Sequence, residues 1–192
     1  MKIVFAPHES LRQTAEPITQ VNNKLHSFIE NISSTLIYND RKGVGLAAPQ
    51  VNTRWRMFIT YLAPGESRNE DNDRQLNIYL NPRIIKTGKQ KELGGTEDSR
   101  PLEGCLSIPR IYGPVPRFPW VEIEYDYIQG DSLQTNSKRF EGFPSRLVQH
   151  EIDHLDGILF TDHSLELDLP VYEEDAEDKL SELEDRTIIE MF

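Results

Sequence analysis

Two histidines four residues apart, in the stretch His150-Glu151-Ile152-Asp153-His154, constrain this chain more than any other feature. On a helix, residues four apart share one face and can converge on a single metal ion, with the intervening glutamate close enough to act on water held there. The surrounding residues support a helix over Phe143 to Leu155: Pro144 is tolerated in a first turn, and Gly157 stands just past the end. The bland alternative is a pair of surface histidines on an acidic helix. A catalytic site of the first kind has three protein ligands and one open position, so a third ligand must come from elsewhere in the chain.

Cys105 is the natural candidate for that ligand. It is the sole cysteine, so it forms no internal disulfide, which fits a reducing compartment. It lies in Leu102-Glu-Gly-Cys-Leu-Ser-Ile-Pro109, where Gly104 permits close backbone approach and Pro109 closes the local run. A lone cysteine also serves as a small buried hydrophobe, and its neighbours decide between the two roles. His8, His26 and His163 have no partner at ligand spacing and read as packing or surface residues.

The rest of the chain suggests one α+β domain of ordinary size. Val21, Leu25, Phe28, Ile29, Ile32 and Leu36 recur at helical spacing, predicting an amphipathic helix over Val21 to Ile37 that covers a sheet. Gly43-Val-Gly-Leu-Ala-Ala-Pro-Gln50 is too rich in small residues to continue it and reads as a tight loop or the beginning of a strand. Strands are predicted at Trp55 to Leu62, Asn77 to Ile85 and Val121 to Ile128; the last alternates apolar and acidic residues, as a sheet with one wet face requires. Pro64 to Gln75 and Gly88 to Arg100 read as polar surface loops.

Charge separates the C-terminus from the remainder. Of a net −11, residues 166 to 192 hold −9, with eleven Asp or Glu against Lys179 and Arg186. This stretch is expected to be a solvated extension with a weak helix around Glu173 to Arg186, giving a catalytic domain over 1–164 and an acidic extension over 165–192. No cluster of Lys and Arg offers a footprint for nucleic acid, so direct nucleic-acid binding is not expected. No apolar run approaches the roughly 20 residues a membrane helix needs. The N-terminal MKIVFAPHESLRQ lacks a long apolar region and a small-residue cleavage site, and a cytoplasmic location is expected.

Three motifs in the same order, Gly-Val-Gly-Leu-Ala-Ala-Pro-Gln at 43–50, Glu-Gly-Cys-Leu-Ser at 103–107 and Gln-His-Glu-Ile-Asp-His-Leu at 149–155, resemble the signatures of peptide deformylases. The similarity runs from Leu11 to Phe160 and stops short of the acidic tail. It implies antiparallel sheets packed around a central helix that carries the two histidines. It implies a metal held by Cys105, His150 and His154 with water in the fourth position, and Glu151 as acid and base. Gln50 and the Leu106 backbone N–H would serve the oxyanion. Val44, Gly45, Glu103 and Gly104 would run along the substrate, an N-formylmethionyl nascent peptide laid down as an added strand. Ferrous iron is the implied native metal, with zinc or nickel replacing it in purified protein, and transient ribosome contact is implied as well.

The chain departs from the family's pattern at Tyr112, where members often carry an arginine, and in the long polar stretch before Glu103. Two rival readings remain open at this point. A zinc peptidase would take its third ligand downstream, where His163 and several acids lie; a binding module would keep the fold without chemistry and would have no need of Glu151.

Overall fold

The computed structural model describes residues 1–40, 43–63, 74–94 and 101–192. Helix α1 spans Asn23–Ile37, two residues shorter at its start than the apolar spacing predicts. Asn22 is extended and its side chain accepts a hydrogen bond from the Leu25 N–H at 3.0 Å, which fixes the first turn. Leu25, Phe28, Ile32 and Leu36 are buried along one stripe. Burying such side chains is worth roughly 1.5–3 kcal/mol each, against about 1 kcal/mol for a cap. Packing therefore holds the helix, and the cap sets only where it begins.

Five antiparallel strands form the first sheet, in the order β1 (Gly45–Ala47), β2 (Met57–Leu62), β3 (Gln75–Thr87), β6 (Trp120–Gln129) and β7 (Ser132–Glu141). Their alternation sorts side chains between two layers. Met57, Ile59 and Leu80 pack with the buried stripe of α1. Phe58, Tyr79, Val121 and Ile123 point the other way, toward helix α2 (Gly142–Leu155), and meet Val148, Ile152 and Leu155. Asn81, at φ 49°, breaks the register of β3 with β6; its side chain bonds both the N–H and the carbonyl of Ile18, pinning the N-terminal segment to the sheet.

The second sheet, β4 (Leu102–Cys105), β5 (Ile108–Pro114), β8 (Tyr172–Glu174) and β9 (Leu180–Glu182), is also antiparallel. A third apolar cluster beneath it joins Ile108, Ile111 and Val115 to Leu159 and Phe160, with Leu11 from the N-terminal region. Phe160 opens the short helix α3 (Phe160–Glu166). No helix among the described residues is long and apolar enough to cross a membrane.

Helix α2 is buried nearly all round, from Ser145 to Leu155. Gln149 ties it to the segment before β6, accepting from the Phe118 N–H and donating to the Phe118 carbonyl, both at 2.9 Å. Gly157, at φ +75°, ends the turn where a Cβ would stand 2.7 Å from the Arg12 carbonyl oxygen.

Two expectations need correction. The tail from Glu173 to Arg186 is not a weak helix: it is the β8–β9 hairpin, followed by a short helical turn, α4 (Thr187–Glu190). Asp175 closes the hairpin by accepting from the N–H groups of Glu177 and Lys179, both at 2.9 Å. Val171 and Ile189 are buried in the third cluster, and that burial outweighs a helix preference spread thinly over acidic residues. Strand β7 was not expected, because an exposed outer strand with one buried side chain, Phe140, leaves no apolar alternation to read. The loop expected over Pro64 to Gln75 lies outside the described residues as far as Asp73, and that over Gly88 to Arg100 from residue 95 onward.

Candidate metal centre and active-site cleft

Cys105 ends β4, and His150 and His154 stand one turn apart on α2. Their ligand atoms all lie within 4.8 Å of one another, with Cys105 Sγ 3.1 Å from His154 Nε2. The two imidazoles meet edge to face, 4.9 Å between ring centres. His150 Nδ1 is 3.0 Å from Glu103 Oε2, a contact that orients the ring and leaves Nε2 for an ion. His154 Nδ1 is buried with no hydrogen-bond partner among the described residues. One thiolate and two imidazoles suit zinc or ferrous iron, and the residues fit a divalent transition metal.

The electrostatics favour the ligand form of the sulfur. Burial works against a thiolate, yet His154 and His150 together hold the Cys105 pKa well below its usual value. The Ser107 N–H and the Gln50 Nε2 donate to the same sulfur, each at 3.4 Å. Gln50 is itself buried and oriented, its Oε1 accepting from the Ala47 N–H at 2.8 Å. Burial dominates at Glu151 and raises its pKa to about 7, partly opposed by His150 and His154. Its Oε2 is buried without a hydrogen-bond partner among the described residues. A Cβ on Gly45 would strike the other carboxylate oxygen and stand 2.9 Å from Leu147 Cδ1, so only glycine admits the acid there.

Behind the candidate ligands runs a buried network that no sequence pattern announces. Glu103 accepts from Arg117 Nε and Nη2, from Arg146 Nη1 and, across 3.0 Å, from His150. Burial would raise its pKa, but Arg117 holds it far below the carboxylate range. Arg117 reaches on to Asp153, which also holds His163 at 2.8 Å. His163 is therefore engaged away from the ligand group. Replacing Glu103 by alanine leaves Arg117 in the interior with Asp153 as its remaining carboxylate partner, and breaking a buried pair costs up to about 3–5 kcal/mol. Chemical denaturation of Glu103→Ala is expected to show a loss of that size, and a loss below about 1 kcal/mol would contradict it.

These residues open on a cleft of about 820 Å³. Val44, Gly45, Gln50, Glu103, Gly104 and Leu106 line it together with Cys105, His150 and Glu151; His154 completes the ligand group without lining the cleft. Strand β1 is the outer strand of one sheet and β4 the outer strand of the other. Among the described residues, two outer strands thus border the same cavity, a setting in which an extended peptide can add as a strand.

The family model for polypeptide deformylase matches residues 1–169. A peptide deformylase of Roseiflexus castenholzii is 34% identical over 163 residues, covering 82% of each chain. Peptide deformylase 1 of Bacillus subtilis is 35% identical over 161 residues, 83% of this chain and 87% of that one. The Met-Ala-Ser-bound crystal structure of a class I type b peptide deformylase from Acinetobacter baumannii superposes with a TM-score of 0.71 at 32% identity, covering 85% of this chain and 97% of that one. On sequence and structure alike the chain belongs to the peptide deformylase family, metal-dependent hydrolases that remove the N-formyl group from the N-terminal formyl-methionine of nascent polypeptides.

Proposed function

We propose that Cys105, His150 and His154 hold the catalytic metal and that Glu151 is the acid and base of deformylation. The observation that supports this most is the Glu151 carboxylate, buried against Gly45 with one oxygen unpartnered, in the cleft that Cys105 and His150 also line. A divalent ion, once bound, polarises a carbonyl and lowers the pKa of water from 15.7 toward about 7. Glu151 takes the proton of the attacking water and delivers it to the amine nitrogen as the carbon–nitrogen bond breaks, releasing formate. Gln50 Nε2 and the Leu106 N–H donate to the oxygen of the formyl group as it gains negative charge.

The peptide lies between the β1 edge at Val44 and Gly45 and the β4 edge at Glu103 and Gly104, while the Glu103 carboxylate orients His150. Ferrous iron is the ion in the cell, and metal analysis of protein purified without oxygen tests this against zinc or nickel. Residues 1–164 form the catalytic unit and 165–192 an acidic addition to it. The enzyme works in the cytoplasm, in transient contact with ribosomes. Gln50→Ala, with its metal content verified, is expected to lose about a hundredfold in kcat on formyl-Met-Ala-Ser; a loss under threefold would remove Gln50 from the oxyanion site.

A further inference from the structure

The acidic hairpin reaches the substrate cleft. Glu174, the last residue of β8, lines the cavity beside Arg110 and Tyr112, at the wall formed by β5. Tyr112 donates its hydroxyl to Glu174 Oε2 at 3.1 Å, and Arg110 donates Nε to the Glu174 carbonyl at 2.6 Å. The Tyr112 ring lies against Gly104, where an added Cβ would stand 2.6 Å from it, so this wall adjoins the β4 edge one residue from Cys105. Glu174 Oε1 has no hydrogen-bond partner among the described residues. The cations lining the cleft are Arg110, Arg74, which lies over the Tyr61 ring, and Arg146, which is paired with Glu103. Five carboxylates from Glu173 to Asp178, offset only by Lys179 within the hairpin, outnumber them.

We infer that Glu174 is a specificity residue: it makes the downstream end of the cleft select peptides with a basic residue two positions after the formyl-methionine over peptides with an acidic one. The inference rests on the deformylase reading and on the cleft as the peptide's seat. An extended chain advances about 3.3 Å per residue, so the side chain two residues beyond methionine is the first able to leave the ligand group and meet this wall. An ammonium there gains a partner in Oε1, and a carboxylate meets repulsion. Partly exposed charge pairs of this kind shift rates severalfold rather than by orders of magnitude.

The test compares kcat/KM for formyl-Met-Ala-Lys and formyl-Met-Ala-Glu, both amidated at the C-terminus, in metal-loaded full-length protein at low salt. A ratio of about fivefold in favour of lysine is expected, collapsing toward one in 1 M salt, where the screening length falls to about 3 Å. Glu174→Gln keeps an oxygen for the Tyr112 hydroxyl while removing the charge, and is expected to lower the low-salt ratio by at least half. A wild-type ratio near one, a ratio that survives high salt, or a ratio unchanged in Glu174→Gln would overturn the assignment to Glu174. The salt series on wild-type protein stands even where the variant folds poorly. Turnover of formyl-Met-Ala-Ser separates the two levels: its absence defeats the deformylase reading itself, whereas its presence with a ratio of one defeats only the role of Glu174.

Discussion

Cys105→Ala is expected to abolish both metal binding and deformylation. The proposed ligand group is one sulfur and two imidazole nitrogens within 4.8 Å of one another, and no fourth His, Cys, Asp or Glu joins it among the described residues. The substitution leaves two histidines on a helix, which hold a divalent ion weakly, and it removes the anion that balances the ion's charge. Metal content should fall from about one ion per chain to below about a tenth, and activity should fall with it. Folding should survive, because Cys105 is half-buried and alanine fits the end of β4. Metal analysis and circular dichroism on the same sample check both statements. A variant that keeps its metal would mean that a downstream residue is the third ligand, as in a zinc peptidase; His163, bonded to Asp153 at 2.8 Å, would then have to leave that partner.

Glu151→Gln separates chemistry from binding. The amide has nearly the shape of the carboxylate and sits in the same space against Gly45, but it neither takes nor returns a proton. Metal content should stay at the wild-type level, while kcat falls by about 10²–10⁴, the range that acid–base groups supply. KM should change little, because the strand edges proposed to carry the peptide are untouched. Because burial raises the Glu151 pKa to about 7, the carboxyl can both accept and give up a proton near neutrality. A variant retaining more than a tenth of wild-type kcat would exclude Glu151 as the acid and base.

What could be read from the sequence follows from which forces are local. The stripe of α1 was legible because burial at Leu25, Phe28, Ile32 and Leu36 repeats at helical spacing, and β6 because one of its faces is wet. Both histidines were legible from their spacing, and Cys105 from its being the sole cysteine within a motif that resembles the family's. The Glu103–Arg117 pair was not. It exists only because the β4–β5 hairpin and the approach of α2 bring together residues with no sequence pattern in common. The C-terminal hairpin escaped for the same reason: eleven acidic residues obscure Val171, Tyr172 and Ile189, whose burial or pairing depends on a β5 edge some 60 residues earlier in the chain. Gln50 falls between these cases, a turn residue by composition whose bonds to Ala47 and Cys105 appear only in three dimensions.

The most direct measurement is mass analysis of the products that iron-loaded protein, purified without oxygen, makes from formyl-Met-Ala-Ser. Formate and intact Met-Ala-Ser are expected, with Glu151→Gln producing neither. Formyl-Met together with Ala-Ser would identify a peptidase, and unchanged substrate in fully metallated wild-type protein would identify a binding module; either result would contradict deformylation.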